Sequence, residues 1–318
     1  MRISLMKIQP LSIAEALDLN DRLTLDELCD MADRVRRESF GNHIHTCSIV
    51  NARSGRCSED CHWCAQSARY HTGCKEYQIA DPEEVNRVYD ECASRGVERF
   101  SLVTSGRRVT AQQIPEFCKL FSDLAQRGNM KLCASMGLLE KSELQALKDA
   151  GVSRYHCNLE AAESLFTKLC TTHTRADKLA TIKAAIEVGM DVCVGGIIGM
   201  GETMRQRLEL VEEARQAGAR SIPVNILCPI AGTPLANQEP LPEKEIIRSL
   251  ALMRMVAPDC DIFFAGGRAR LSSDAVSRML RGGVDGAMIG TLLTTIGNDI
   301  DADFELFRSL GYSINKPE

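Results

Sequence analysis

The stretch RADKLATIKAAIEVGMDVCVGGIIGMGETMRQRLELVEEARQAG, residues 175–218, reads as a helix, a strand and a second helix in turn. Both flanks carry the one-sided apolar spacing of surface helices, and each ends in a glycine suited to a left-handed cap. The centre is an apolar, β-branched run that is typical of a buried strand. Because buried strands flanked by such helices build parallel α/β folds, the segment predicts a parallel sheet covered by helices.

The same unit recurs along the chain. Short apolar runs that we predict as strands lie at 45–51, 99–106, 131–137, 154–160, 191–201, 221–230, 261–267 and 286–290. Eight strand–helix units favour an α/β fold of the (β/α)8 TIM-barrel type. A doubly wound sheet is the alternative, but no Gly-x-Gly-x-x-Gly follows the first strand. We expect residues 1–40 to form a helical extension that covers one end of the barrel, and residues 41–318 to form the barrel domain.

The composition restricts the classes of function. The chain has 318 residues, a formal charge of -5, one Trp and five Tyr, so we expect no nucleic-acid partner. No stretch approaches the roughly 18 apolar residues of a membrane span. The first 21 residues lack the continuous apolar core of a signal peptide, and we expect a cytoplasmic protein.

Fourteen cysteines need an explanation in such a chain. Disulfides are rare in a reducing compartment, so clustered cysteines favour metal or cluster binding. Isolated cysteines are more often small buried apolar residues. This second interpretation applies to four cysteines in helical contexts, namely Cys29, Cys92, Cys118 and Cys260.

The densest group is CSEDCHWC, which places Cys57, Cys61 and Cys64 in the pattern C-x3-C-x2-C. A zinc knuckle that lacks one ligand and a chance cluster are the alternatives, but zinc sites usually pair two C-x2-C units. Three thiolates can bind three irons of a [4Fe-4S] cluster and leave the fourth iron open. An open iron can bind a cofactor and pass an electron directly to it.

The pattern, with Trp63 as the aromatic residue before the third cysteine, resembles the signature of the radical S-adenosylmethionine superfamily. From about residue 40 onward the strings CSEDCHWCAQSARYHTGC, YHCNLE, TTHT, VCVGGIIGMGET, PVNILCPIAGTPLA, AGGR and LLTT resemble the members that insert sulfur into dethiobiotin. The resemblance implies a full or partial barrel and an open iron that binds S-adenosylmethionine. Reductive cleavage of that cofactor yields methionine and a 5′-deoxyadenosyl radical.

The resemblance also implies a cofactor site at the carboxyl ends of the strands. The segment GGIIGMGET would contact the adenosine, and a carboxylate after strand four would meet the ribose hydroxyls. His173 stands where the family often has arginine, and Cys157 replaces an expected histidine and has no assigned role. The implied cofactor-binding residues are Trp63, Asn158, Glu160, His173, Gly195, Ile197 and Cys228.

Two further cysteines, Cys133 and Cys193, lie in predicted strands at positions that point into the barrel. Either alone would usually be a small buried residue. Arg268, which we place on strand seven, changes the balance because an arginine inside a barrel needs an anionic partner. An iron–sulfur cluster between the cysteines would provide that partner.

In the sulfur-inserting members three cysteines and an arginine hold an auxiliary cluster that donates the sulfur. Here Ser101 stands where the strand-two cysteine is expected, and Cys47 on the adjacent strand one is an added thiol. We predict that Cys47, Cys133 and Cys193 bind the auxiliary cluster and that Arg268 is catalytic. The cluster would be [2Fe-2S] or, as favoured, a four-iron cluster with an extra sulfide.

The substrate contacts that the resemblance implies are amide hydrogen bonds from Asn158 and Asn225 to a cyclic urea, and carboxylate binding by Thr294 and Thr295. Each of these side chains is also suited to a loop cap. In the implied reaction one radical takes hydrogen from the methyl carbon of dethiobiotin, cluster sulfide traps that carbon, and a second radical closes the ring.

Other functions stay open from sequence. A hydrogenase maturase or a methylornithine-forming mutase would share the first cysteine triad but would not need the second set. An iron–sulfur carrier or redox sensor would not need GGIIGMGET. For the enzyme we expect a small flavodoxin- or ferredoxin-type electron donor and a homodimer.

Overall fold

Parallel strands surround a central cavity in the computed structural model, which describes residues 8–290, 297 and 299–314. The strands predicted from sequence are present, several of them shorter than expected. They are β1 His45–Arg53, β2 Arg99–Thr104, β3 Lys131–Ser135, β4 Val152–His156, β5 Asp191–Cys193, β6 Gly196–Ile198, β7 Ser221–Ile226, β8 Asp261–Phe264 and β9 Gly286–Met288.

The sheet closes on itself. Its order is β5-β4-β3-β2-β1-β9-β8-β7-β6, and a further pairing of Cys193 with Ser221 joins β5 to β7. All the pairings between these strands are parallel. Since β5 and β6 are two halves of one barrel strand, the described sheet is an eight-position barrel of the TIM type. The (β/α)8 prediction is confirmed, and the doubly wound alternative is wrong.

The fifth barrel strand, predicted over 191–201, is interrupted at Val194 and Gly195. A Cβ atom on Gly195 would lie 2.0 Å from the carbonyl oxygen of Pro223, and one on Gly196 would lie 2.4 Å from that of Glu160. Only glycine permits such close approach of neighbouring backbones. The strand therefore changes partners here without losing its place in the wall.

The helices form an outer layer. They are α1 Ile13–Arg22, α2 Leu25–Phe40, α3 Pro82–Ser94, α4 Ile114–Arg127, α5 Lys141–Asp149, α6 Glu163–Leu169, α7 Arg175–Glu187, α8 Met204–Gln216, α9 Glu243–Val256, α10 Ser273–Arg281 and α11 Ile300–Ser309, with a short 3₁₀ turn at Arg268–Arg270. Side-chain capping boxes begin several of them, such as Thr174 with Asp177 at α7.

The predicted helical extension exists as α1 and α2. Their main contacts are with α8, α9 and α10, so the extension lies against the side of the barrel and not over one end as expected. The reason is the apolar face of α2, with Leu28, Ala32 and Val35 buried. Because α2 covers α9 on its outer side, α9 is buried over almost its whole length.

The connection from α2 to β1 is bonded to the end of the described chain. The Ile44 amide donates to the Ser313 carbonyl at 3.0 Å, and the Ser313 amide donates to the Asn42 carbonyl at 2.9 Å. This pairing lies at the amino-terminal end of the barrel, because it directly precedes the first strand.

Of the cysteines expected to be apolar fillers, Cys29, Cys92 and Cys260 are buried and Cys118 is half-buried. Among the described residues, no helix combines the length and the apolar character that a bilayer crossing requires.

Candidate active site

Alternate side chains of the strands point into one cavity of about 350 Å³. Its wall includes charged, thiol and hydroxyl side chains, whereas the interior of such a barrel is normally filled by branched apolar side chains. The strand residues that line it include Cys47, Ile49, Arg99, Ser101, Val103, Cys133, Ser135, Arg154, His156, Cys193, Ser221, Pro223, Asn225, Phe263 and Met288. These side chains can bind metal ions, donate hydrogen bonds and carry charge, so the cavity is a candidate active site.

The loop that carries the cysteine triad follows β1 at the carboxyl end of the barrel. Gln66 shapes it, since its side-chain oxygen accepts hydrogen bonds from the Ser54 hydroxyl and the Gly55 amide, both at 3.2 Å. The Gln66 carbonyl accepts from the Cys57 amide at 3.0 Å. Cys57, Cys61 and Cys64 all line the cavity. The three predicted ligands therefore border the same cavity.

These three thiols lie in an environment that disfavours thiolates without a metal. Burial raises the pKa of Cys57 and raises that of Cys64 to about 11. The pKa of Cys61 is raised by a hydrogen bond with Cys170 and by burial. Bound iron would supply the positive charge that three neighbouring thiolates need, so the donor set fits a cluster with three protein-bound irons.

Cys170 and Glu59, which contact the predicted residues Cys61 and His173, were not predicted from the sequence. The Cys170 sulfur lies 3.8 Å from the sulfur of Cys61 and 3.3 Å from Nδ1 of His173. The same His173 nitrogen lies 2.7 Å from a Glu59 carboxylate oxygen. His173 lines the cavity, but Glu59 and Cys170 fix its ring. The position of Cys170 directly before TTHT, a string already linked to the cofactor site, could have indicated it.

Most of the implied cofactor residues meet at the carboxyl end. Trp63, Asn158, Glu160, Ile197 and Cys228 line a second cavity that shares a wall with the first. The exception is Gly195, at the break in the fifth barrel strand, which lines neither cavity. The smallness of that residue serves strand packing and does not make room for a ligand.

Asn158 and Glu160 lie just beyond the end of β4. The Asn158 amide nitrogen donates to the Glu160 carboxylate at 3.3 Å, and its oxygen accepts from the Gly195 amide at 3.0 Å. Burial raises the pKa of Glu160. The pair is thus preset in orientation, with a second carboxylate oxygen available to hydroxyl donors.

Asn225 faces both cavities. Its amide nitrogen donates to the Gly196 carbonyl at 3.2 Å, and its oxygen accepts from the Gly266 amide at 2.9 Å. One amide hydrogen is left for a ligand. The two other predicted substrate residues, Thr294 and Thr295, lie outside the described residues.

The second cysteine set also comes together. Cys47, Cys133 and Cys193 line the deeper part of the cavity, on β1, β3 and β5. A hydrogen bond between Cys47 and Cys133 raises the pKa of the first thiol and lowers that of the second. Burial raises the pKa of Cys193 to about 11. Ser101 lines the same region, so position alone does not exclude it.

Two arginines face these cysteines, and neither was assigned a role from sequence. Arg99 and Arg154 both favour the thiolate of Cys133. Nη1 of Arg99 and Nε of Arg154 are buried without a hydrogen-bond partner among the described residues. Arg154 is also ion-paired with Asp191 at 3.6 Å and Asp261 at 4.0 Å, so the cost lies in the two buried N–H groups that lack an acceptor. An anionic group between the cysteines would supply that acceptor. The sequence could have indicated Arg99, because side chains two residues apart on a strand lie on the same face and Ser101 was expected to point inward.

Arg268 does not belong to this group, and the prediction that it faces the auxiliary cysteines is wrong. It follows β8, and its guanidinium donates two hydrogen bonds to the carboxylate of Asp303 on α11, one of them at 2.7 Å. It also donates to the Met288 carbonyl at 3.1 Å. The buried guanidinium has the anionic neighbour that physics requires, but this neighbour is a carboxylate outside the cavity lining.

The chain matches two family models. The Radical SAM superfamily model matches residues 52–214, and the Biotin and Thiamin Synthesis associated domain matches residues 223–313. The first match includes the cysteine triad, and the second begins within β7. Together they span the barrel almost completely.

Curated relatives are similar over nearly the full length. Biotin synthase from Parabacteroides distasonis is 44% identical over 304 residues, which is 95% of this chain and 92% of the relative. Biotin synthase from Clostridium botulinum strain Hall is 43% identical over 290 residues, 91% of each chain. Biotin synthase from Desulfotalea psychrophila is 45% identical over 308 residues, 96% and 91% of the two chains.

Solved structures share the fold at low identity. Methylornithine synthase superposes with a TM-score of 0.84 at 16% identity, covering 98% of this chain and 96% of that chain. The FeFe-hydrogenase maturase of Carboxydothermus hydrogenoformans superposes with a TM-score of 0.81 at 16% identity, covering 97% and 76%. These likenesses concern the barrel alone.

Proposed function

The chain belongs to the biotin synthase family of radical S-adenosylmethionine enzymes, and from this membership we propose how its residues insert sulfur into dethiobiotin to form biotin. The observation that carries the proposal is the meeting of two separate cysteine sets in one polar cavity. A single set would serve cofactor cleavage alone. Two sets allow radical formation and sulfur donation to take place within one barrel.

The first set, Cys57, Cys61 and Cys64, binds a [4Fe-4S] cluster in this proposal. When bound, the clusters supply an electron for reductive cleavage of S-adenosylmethionine and a sulfur atom for the substrate. The protein shapes the loop through Gln66 and holds Cys57 buried, with Cys61 and Cys64 half-buried, at the mouth of the barrel.

The second set, Cys47, Cys133 and Cys193, binds the auxiliary cluster. Two observations support this assignment. The three cysteines line the same cavity, and one buried nitrogen each of Arg99 and Arg154 lacks a hydrogen-bond partner among the described residues and would donate to an anionic cluster. A four-iron cluster with an extra sulfide is the favoured form, because it can release sulfur without being dismantled. Its nuclearity rests on the family resemblance.

S-adenosylmethionine would be bound at the second cavity, where Glu160, oriented by Asn158, would accept hydrogen bonds from the ribose hydroxyls. Ile197, Cys228 and Trp63 enclose the adenine side. His173 stands where the family often has arginine, and its ring, held by Glu59, borders the cavity.

Dethiobiotin is placed between the two cysteine sets. The remaining amide hydrogen of Asn225 faces this space, where it can donate to a urea oxygen. The Asn158 side chain borders the same space. Thr294 and Thr295 would bind the carboxylate of the substrate.

A small flavodoxin- or ferredoxin-type protein supplies the electrons, and the partial exposure of Cys61 and Cys64 supports delivery from that side. A homodimer is part of the same proposal. Leu179 and Ile186, exposed by 40% and 42% on one face of α7, offer an apolar contact to a second copy. The cytoplasm is the expected location, because its reducing conditions favour free thiols.

The maturase and mutase alternatives share the barrel with this chain but are similar to it at only 16% identity. The test is anaerobic turnover of the reconstituted protein with S-adenosylmethionine, dithionite and dethiobiotin, followed by mass spectrometry. Biotin and 5′-deoxyadenosine should both form. Deoxyadenosine without biotin would show a different radical reaction, and neither product would show that the first site is wrong.

A further inference from the structure

A second group of metal-binding side chains lies at the opposite end of the barrel. His43, His45 and Glu98 each offer one ligand atom, and these atoms lie within 4.8 Å of one another. The Glu98 carboxylate contacts Nε2 of His43 through one oxygen and lies 2.9 Å from Nδ1 of His45 through the other. The two imidazole rings are close, with centroids 4.6 Å apart.

The backbone around this group is well fixed. His45 begins β1 and Glu98 directly precedes β2, two strands that pair in parallel. The Glu98 amide donates to the Thr46 hydroxyl at 3.1 Å. His43 forms a β-bridge with Ser313. The three side chains therefore come from two neighbouring, hydrogen-bonded segments, residues 43–45 and Glu98, as a preorganised site requires.

The surroundings favour a cation. Asp261 lies 3.8 Å from Nε2 of His45, the ring nitrogen that does not face Glu98. At this distance, which is too long for a hydrogen bond, the Asp261 carboxylate stabilises positive charge on the His45 ring. The group thus has both a first layer of N and O donors and a supporting carboxylate.

We propose that His43, His45 and Glu98 bind a divalent transition-metal ion, Zn²⁺ or Fe²⁺, at the amino-terminal end of the barrel. Imidazole nitrogen with one carboxylate suits both ions. The side chains of His43, Glu98 and His45 are exposed by 10%, 23% and 27%, so an ion from solvent reaches them and keeps water in its open positions. This site is separate from the iron–sulfur chemistry of the cavity and does not depend on the proposed function.

The alternative is a carboxylate that only accepts hydrogen bonds from two histidines. Metal counting on protein with both iron–sulfur clusters in place separates the two, because the cluster cysteines are then occupied. Zn²⁺ alone or Fe²⁺ alone is added anaerobically, and unbound ion is removed by gel filtration. The unmodified protein should retain about one ion per chain above its cluster iron.

The variants His43→Gln, His45→Gln and Glu98→Gln should each weaken this binding by about tenfold or more, while keeping hydrogen-bonding capacity. The matched control is His71→Gln, which removes an exposed histidine elsewhere and should bind as the unmodified protein does. Cluster absorbance and circular dichroism check that each variant is folded.

The Fe²⁺ arm is read by Mössbauer spectroscopy with ⁵⁷Fe added only after cluster assembly, which should show high-spin ferrous iron with N and O ligands. Retention of Zn²⁺ but not Fe²⁺ would identify the site as a zinc site. Retention of neither ion, or equal retention by the three site variants and the unmodified protein, would overturn the proposal.

Discussion

The sulfur atoms of Cys61 and Cys170 lie 3.8 Å apart, although 109 residues separate them in the chain. The contact arises because Asp60 accepts a hydrogen bond from the Thr171 amide at 2.9 Å, and the His62 amide donates to the Leu169 carbonyl at 3.0 Å. A second thiol thus lies beside a proposed iron ligand. The two must be told apart by experiment.

Replacing Cys57, Cys61 or Cys64 with Ala should abolish reductive cleavage of S-adenosylmethionine, because each removes one of three protein ligands to iron. Cys170→Ala is the matched control and should keep the cluster. Deoxyadenosine formation and iron content report both outcomes. If Cys61→Ala still assembles a full cluster and Cys170→Ala does not, Cys170 is the ligand and the motif assignment fails.

Cys47→Ser should lose auxiliary iron and biotin formation while keeping some deoxyadenosine formation, since thiolates bind iron far better than a neutral hydroxyl. Ser101→Ala should keep its auxiliary iron. Anaerobic iron and sulfide counts together with Mössbauer spectra measure this.

A Cys47→Ser protein with a full iron complement that still makes biotin would count against the ligand assignment. Cys157, which is buried and lines the cavity, would then be the next residue to test.

Asp303→Leu should destabilise the protein by about 3–5 kcal/mol, because it leaves the buried Arg268 guanidinium without its carboxylate. Arg268→Met combined with Asp303→Leu should recover part of that loss. The exposed pair of Lys141 and Glu187 is the control, and Glu187→Gln should leave the urea midpoint almost unchanged, because exposed ion pairs contribute little to stability. Urea unfolding midpoints give the comparison.

The single variant Arg268→Met should keep its auxiliary iron, since this side chain does not line the cluster cavity. Loss of auxiliary iron in a folded Arg268→Met protein would restore the role expected from sequence.

Tyr312 should make the protein alkali-sensitive. Burial raises the pKa of its phenol from 10.0 to about 12, although Arg36 over the ring lowers it. Between pH 10 and pH 12 the phenol is deprotonated in the unfolded chain and protonated in the folded chain. The contribution of Tyr312 to the free energy of unfolding is therefore fully present below pH 10 and is lost as the pH rises toward 12. The loss attributable to this group is about 2–3 kcal/mol.

Tyr312→Phe has no phenol proton to lose and should show a smaller decline over the same pH range, measured as the urea midpoint. Identical declines in the two proteins would show that Tyr312 does not control alkaline stability.

The fold follows from local patterns to a large extent. Amphipathic helices, glycine caps and apolar runs predict the parallel barrel, because each unit can bury its apolar face only against the next one. The break in the fifth strand was not predictable, since Gly195 is required by the distant Pro223 carbonyl. The position of α2 depends likewise on the apolar surface of α9, which no local pattern specifies.

The candidate site also contains residues that the sequence predicts and residues that it does not. Spacing alone singles out Cys57, Cys61 and Cys64, since the three lie within one loop. Which anion pairs with a buried arginine depends on the tertiary structure. For that reason the sequence predicted the wrong anionic partner for Arg268 and no partner for Arg154. Strand alternation can identify inward positions, but only the folded barrel shows which charges share the interior.

The closed sheet also imposes an order of loading. The amino-terminal end of the barrel carries ion-paired side chains, among them Arg154, 4.0 Å from Asp261, while the triad loop stands over the opposite end. A group destined for Cys47 and Cys133 therefore has to enter past the mouth before anything occupies it. Under the proposed function the auxiliary cluster, as the deepest component, is therefore assembled before substrate and cofactor occupy the mouth. Exchange of the deepest component is thus slowest whenever the other two are present.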